Sequence, residues 1–204
     1  MDKIDFKKTL KTLYAPRSKD FEIVEVPPLQ FVMIDGQGDP NTSALYPRSL
    51  GWIYAVSYAI KFGCKAAGLD YVVPPLEGLW WADDLDDFVS GRRDQWRWTL
   101  MLMVPDIVTE PMFLAGVAKA KDKLGPVPDS LRLERYAEGL AVQFLHVGSY
   151  ADEAPTIARM HTSFIPEHGL IETGKHHEIY LSDPRRVVPA RLKTIVRQPV
   201  RRTV

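Results

Sequence analysis

The chain has 204 residues, enough to bury a core as one large domain or two small fused units, and its 46% hydrophobic and 25% charged content is that of a globular protein. Its 26 basic and 26 acidic residues cancel, which leaves no electrostatic footprint for nucleic acid or an anionic membrane. One cysteine, Cys64, excludes an intramolecular disulfide and fits a reducing compartment.

Residues 1–20 read as a basic lead-in or cap, with Lys7, Lys8, Lys11, Arg17 and Lys19. The start, Met1-Asp2-Lys3-Ile4-Asp5, lacks the layout of a secretion signal, and no apolar run reaches membrane-spanning length; a soluble, cytoplasmic protein is expected. A strand pattern begins at Phe21 and, after Pro27-Pro28, resumes with Phe31-Val32-Met33-Ile34 up to Gly36 and Gly38. Asp39-Pro40-Asn41-Thr42 is helix-start chemistry, and Leu45, Trp52, Val56 and Ile60 then recur at helical spacing until Gly68. Cys64 falls on that helix as a buried hydrophobe. Tyr71-Val72-Val73 opens a strand leading to Glu77, Asp83 to Asp87 form a solvated acidic loop, and Gln95 to Val104 is a further strand.

The second half restates this order. Glu110 to Leu124 is a helix closed by Gly125-Pro126, and Leu140 to Val147 is a strand ending at Gly148. A helix carrying Ile157, Met160 and Phe164 follows, with Ser149 and Asp152 at capping-box spacing. A strand around Glu178 and a last one, Leu192 to Val196, complete the set. Gly38 and Gly148 align at an offset of 110 (148 − 38), Glu77 and Glu178 at 101 (178 − 77). The expected fold is α+β: duplicated strand-helix-strand-strand units about a pseudo-two-fold axis, antiparallel sheets with helices on one side, and a central pocket between the repeats. The lead-in covers residues 1–20, repeat one about 21–105 and repeat two about 106–200, in a single domain over 1–204.

A glutamate in an apolar, strand-forming run is costly to desolvate unless something pairs with it. Glu77 stands in such a run, Leu76-Glu77-Gly78-Leu79-Trp80-Trp81, and Glu178 in His176-His177-Glu178-Ile179-Tyr180. Alternation places Glu178, Tyr180 and Ser182 on one face and His177, Ile179 and Leu181 on the other; Glu77, Leu79 and Trp81 likewise oppose Gly78 and Trp80. His176 and His177 then point to opposite faces and cannot share an ion, so no metal is expected. Gly36-Gln37-Gly38 is only a fragment of a dinucleotide fingerprint and no Gly-x-Ser-x-Gly elbow occurs, so neither a nucleotide cofactor nor a serine nucleophile is expected.

The duplicated order, together with Gly148-Ser149-Tyr150 and Glu178 through Pro184, resembles the GyrI-like small-molecule-binding superfamily over roughly Phe21 to Val200. Pro75 through Trp81, Trp96-Arg97-Trp98-Thr99, Glu138-Gly139, Gln143 to Gly148 and His176-His177-Glu178 resemble a stand-alone branch implicated in hydrolysing cyclopropane-bearing DNA-alkylating natural products. The resemblance implies a small lipophilic or aromatic ligand, no cofactor, and a detoxifying hydrolase. Twenty residues before Phe21 are too few for a helix-turn-helix, so direct nucleic-acid binding is not expected. Opening a strained cyclopropane calls for a base on water and an acid on the electron-rich side. Glu77 and Glu178 are the catalytic candidates, with Tyr180 or Tyr150 as hydroxyl partner. Tyr46, Trp80, Trp81, Trp98, His146 and Tyr150 are the ligand-binding candidates, the aromatics as stacking walls or, in the plainer reading, as core. A non-catalytic binding protein and a gyrase-interacting protein are the alternatives.

Overall fold

The computed structural model describes residues 3–16, 20–83 and 92–203. In chain order, after helical turns at Phe6–Thr9 and Lys11–Tyr14, come β1 (Glu22–Val26), β2 (Leu29–Gln37), α1 (Leu45–Ala66), β3 (Leu76–Trp81) and β4 (Arg97–Val104). Then follow α2 (Glu110–Leu124), β5 (Arg132–Tyr136), β6 (Gly139–Val147) and α3 (Ala154–Arg159), which runs on through a π-helical turn, Met160–Phe164, into Ile165–Glu167. β7 (Leu170–Glu172), β8 (His176–Tyr180) and β9 (Lys193–Arg202) close the chain. The fold is α+β, and every described strand pair within the two units is antiparallel.

The chain forms two compact units. The first takes Met1–Thr9 and Leu29–Tyr136, the second Leu10–Pro28 and Ala137–Val204. Strands in the first run β3-β4-β2-β5, and α1 buries Trp52, Ile53, Val56 and Ile60. The helices α1 and α2 pack closely there: a Cβ on Gly116 would lie 3.2 Å from Ile60 and 3.3 Å from the Val56 carbonyl. Strands in the second run β1-β6-β9-β8, with β7 also on β9. Its core joins Val142, Phe144 and Val196 from the sheet to Met160 and Ile165 from the helix, with Phe21, Ile157 and Phe164 at the margin.

The duplication is written into the register. Leu29 pairs with Tyr136, and Gly139 with Val26, so both β2 to β6 (139 − 29) and β1 to β5 (136 − 26) are offset by 110. The compact units are not the sequential halves, however. β1 belongs with β6, and β5 with β2. The connections explain this: Pro27-Pro28 and Ala137-Glu138 supply neither the glycine nor the asparagine that a two-residue hairpin turn requires, and no non-glycine residue described has positive φ.

Several elements differ from the sequence reading. The first helix starts at Leu45, because Asp39 spends its carboxylate on the Asn41 backbone N–H and Ser43 its hydroxyl oxygen on that of Leu45, both as turn residues. Tyr71 makes only an isolated bridge to Ile4, and β3 begins after Pro74-Pro75. β5 and β7 were not anticipated, and β9 runs further than Val196. Ser149 donates its hydroxyl to Asp152 (2.7 Å) rather than capping a backbone N–H, and the cap position of α3 is Glu153. In the acidic loop, Asp83 pairs with Arg97, while Asp84, Asp86 and Asp87 lie outside the described residues.

Candidate functional site

Strand register assembles a polar row in the second unit. His146 on β6 pairs with Thr194 on β9, and Thr194 with Tyr180 on β8; one step along, Phe144, Val196 and Glu178 form the next aligned row. Phe144 and Val196 meet α3's hydrophobic residues, so Glu178 and Tyr180 stand on the helix-covered face. Tyr180 donates its hydroxyl to Glu178 (2.7 Å), and His176 Nε2 lies 3.3 Å from the other carboxylate oxygen. Burial pushes the Glu178 carboxyl up, but the His176 hydrogen bond and charge, with Tyr180, outweigh it and hold the group below the ordinary value. Its side chain retains 18% exposure. Glu178 is thus an ionised carboxylate, anchored on two sides and still reachable.

The turn before α3 brings two more groups to this face. His146 Nε2–H donates to the Ser149 carbonyl (3.0 Å), which fixes the start of the turn Tyr150–Asp152. Tyr150 packs edge-on against Tyr180, ring centres 5.9 Å apart, and is 43% exposed. Burial, then the charges of Glu178, Glu153 and Asp183, push its hydroxyl up to about 12, so it stays a donor at neutral pH. Glu153, which the sequence reading passed over, is 3% exposed. Burial first and the Glu178 charge second push its carboxyl up to about 8, against a smaller pull from the Thr194 hydroxyl. The two carboxyls are thus driven in opposite directions by their surroundings, Glu153 up and Glu178 down. Only its place after the 149–152 turn could have marked Glu153 out; periodicity gives it no signal.

The opposite face of β8 is structural. His177 Nδ1 meets Glu138 at 2.8 Å, and Arg197 donates to Glu138 (3.0 Å), Gln143 (2.8 Å) and the Leu13 carbonyl (2.8 Å). Burial raises the Glu138 carboxyl, but the charges and hydrogen bonds of His177 and Arg197 prevail and hold it at about 2. Gly139 takes φ 73°, which a side chain adopts only under strain, and so turns Glu138 inward. This network sets the strand that carries His176, Glu178 and Tyr180.

The remaining candidates lie in the first unit. Trp80 pairs with Trp98, and Trp98 with Gly36. The Trp98 indole covers Gly36 and donates to the Gly38 carbonyl at 3.3 Å. Tyr46 of α1 packs edge-on against Trp98 (5.2 Å) and tilted against Trp80 (6.2 Å); Trp98 is fully buried and Trp81 half-buried. Glu77 is buried and pairs with Met101, which pairs with Met33. At the offset of 110, Met33 corresponds to Gln143 and Ile34 to Phe144 (144 − 34), so Gly78 is the counterpart of Glu178, and Glu77 that of His177. The alignment of Glu77 with Glu178 is therefore corrected by one residue, which moves Glu77 to the opposite face from the one Glu178 takes in its own unit. A cavity of about 370 Å³ in this unit is lined by Asp35, Arg48, Ser49 and Asp129 among others. Its Asp35 is already engaged by Thr99 (2.7 Å) and Arg132 (2.8 Å). Among the described residues no group of three potential metal ligands converges.

The fold is that of an α+β protein built from two antiparallel-sheet units. Residues 19–201 match the sequence profile of the GyrI-like small molecule binding domain, and the chain belongs to that family. Among solved structures it is similar to an uncharacterized conserved protein from Listeria innocua, at 42% identity over 98% of this chain and 100% of that one, with a TM-score of 0.88. It is also similar to a hydrolase from Listeria innocua, at 41% identity with the same coverage and a TM-score of 0.84. The C-terminal domain of EcmrR shares the fold at 13% identity, over 90% of this chain and 98% of that one, with a TM-score of 0.57. Comparison with curated protein sequences finds no match.

Proposed function

We propose that this protein takes up lipophilic, aromatic small molecules at the Glu178 face and hydrolyses electrophilic ones that bear a cyclopropane, a detoxifying reaction. The observation that carries this reading is Glu178 itself: a carboxylate held ionised by His176 and Tyr180, yet partly exposed beside two tyrosine rings. Such a group takes a proton from water as the water oxygen attacks a ring carbon, a step worth roughly 10²–10⁴-fold in rate. Tyr150 and Tyr180 present apolar faces to an aromatic substrate. Support also comes from two solved structures described as a hydrolase from Listeria innocua, at 41% and 40% identity. Glu77, Tyr46, Trp80, Trp81 and Trp98 are candidate groups of the first unit, whose part is tested separately.

The test is a mass-spectrometric turnover assay with a panel of cyclopropane-containing alkylators. The wild type adds water, Glu178→Gln loses turnover, and Glu77→Gln shows whether the first unit contributes. A wild type that returns the substrate unchanged but retains it on a sizing column is a binding protein instead. That second reading has its own support, because a partly exposed carboxylate beside aromatic rings also suits a cationic aromatic ligand.

A further inference from the structure

The cavity of about 370 Å³ in the first unit lies among the first turns of α1, the end of β2 and the loop from α2 to β5. That loop is fastened to β2: the Ser130 hydroxyl accepts the Asp35 backbone N–H (3.1 Å) and donates to the Asp35 carbonyl (3.0 Å), and the Leu131 N–H donates to the Pro128 carbonyl (3.1 Å). From α1, Arg48 Nη2 donates to the Pro126 carbonyl (3.2 Å). The walls are therefore formed before any ligand arrives. Three polar groups on them are left over. Ser49 is 1% exposed, and its hydroxyl has no hydrogen-bond partner among the described residues, not even the carbonyl four residues back that a helical serine often takes. A buried hydroxyl left so is costly. Arg48 spends one of its five N–H donors and Asp129 none of its acceptor sites among the described residues. These two opposite charges line one cavity without pairing with each other. The remaining carboxylate, Asp35, is already covered by Arg132 (2.8 Å) and Thr99 (2.7 Å).

We propose that this cavity is a binding site for a free α-amino acid with an apolar side chain. The ligand class follows from what the walls leave unsatisfied: one cation, one anion, a buried hydroxyl and an apolar lining of Leu45, Val127 and Pro128. The Arg48 guanidinium takes the ligand's carboxylate, and it stands in the positive end of the 22-residue α1, which favours an anion there. Ser49 donates its hydroxyl to the same carboxylate, which gives the buried group its missing partner. Asp129 accepts from the ammonium. The apolar side chain rests against Leu45, Val127 and Pro128. A plain anion would face Asp129 and a plain cation would face Arg48, so a ligand carrying both charges is the one that matches the pair. The volume suits it, since small-molecule pockets start at roughly 300 Å³. This is a binding step with no bond made or broken, and it does not rest on the hydrolytic reading of the Glu178 face.

The experiment is calorimetric titration of the full chain with L-alanine, L-valine, L-leucine and L-phenylalanine at millimolar concentration. The best of them is then compared with its N-acetyl derivative, which keeps only the carboxylate, and its amide, which keeps only the ammonium. At least one amino acid is expected to bind saturably, and each single-charge derivative about 10-fold or more weaker. Arg48→Gln and Asp129→Asn each weaken binding by about 10-fold or more, and Ser49→Ala by about 2–10-fold. Asp129 is exposed, so Asp129→Asn keeps the Tm of the unliganded protein, and its loss of binding is not a loss of fold. Amide chemical shifts that move on titration should cluster in the first turns of α1 and the loop from α2 to β5. No saturable binding by any of the four amino acids overturns the proposal. So does equal binding by either single-charge derivative, which would make the cavity a plain anion or cation site, or wild-type affinity in either Arg48→Gln or Asp129→Asn.

Discussion

Replacing Glu138 by glutamine removes one charge from a cluster closed to water. The carboxylate and the His177 ring are each 1% exposed, and the Arg197 side chain 3%. On folding, the Glu138 carboxyl moves from 4.5 to about 2, and at roughly 1.4 kcal/mol per pH unit its ionised form contributes about 3 kcal/mol. An independent route gives a similar size: stripping one partner from a buried ion pair costs roughly 3–5 kcal/mol. In a chain of this length about 3 kcal/mol corresponds to roughly 6–12 °C in Tm. Because the folded pKa is depressed, this contribution is complete above the unfolded value and fades as the pH falls from about 4.5 through about 2. All five tryptophans lie between Trp52 and Trp98, in the first unit, so their fluorescence is the wrong probe. Urea unfolding followed by far-UV dichroism, with hydrogen exchange of β8 and β9 amides, reads the right unit. Glu138→Gln should lose about 3 kcal/mol at pH 7 and much less at pH 3. A variant within 0.5 kcal/mol of wild type at pH 7, or a deficit that ignores pH, would refute the network as the support of β8 (both thresholds follow from the roughly 3 kcal/mol above).

Glu153→Gln should stabilise the protein at alkaline pH. A carboxyl raised from 4.5 to about 8 by folding costs increasing stability as the pH climbs through that window, up to about 5 kcal/mol, so the gain measured by urea unfolding is large at pH 9 and absent at pH 4. Tyr180→Phe removes one of the groups that, after His176, lower Glu178, so the acid limb of kcat should move to higher pH; an unmoved limb would separate Tyr180 from Glu178. Gly36→Ala sets a Cβ 2.0 Å from the Trp98 indole, and the required shift should cost about 1–3 kcal/mol and red-shift tryptophan emission. An unchanged spectrum and midpoint would mean that Trp98 is free to move.

Much of this arrangement is legible in the sequence. The offset of 110 between Gly38 and Gly148 is the true register of the repeat, and alternation along His176 to Tyr180 separates the Glu178 face from the His177 face. What escaped the reading has physical causes. Glu77 and Glu178 look alike because both interrupt apolar strands, but period-2 geometry makes a slip of one residue a change of face, and only pairing partners fix the register. β5, Arg132–Tyr136, carries charge at three of its five positions and half-buries only one edge of a sheet, so it lacks the apolar alternation of a strand. Glu153 and Glu138 each owe their role to partners remote in sequence. Burial there is decided by packing, which composition does not encode.

The central claim is that water adds across a cyclopropane with Glu178 as the proton acceptor. It is tested most directly by single turnover in ¹⁸O-labelled water with enzyme in excess. The account predicts a ring-opened product carrying one ¹⁸O atom, formed by the wild type and by Glu77→Gln at rates to be compared, and not formed by Glu178→Gln. Label-free product, or labelled product at an unchanged rate from Glu178→Gln, would contradict it.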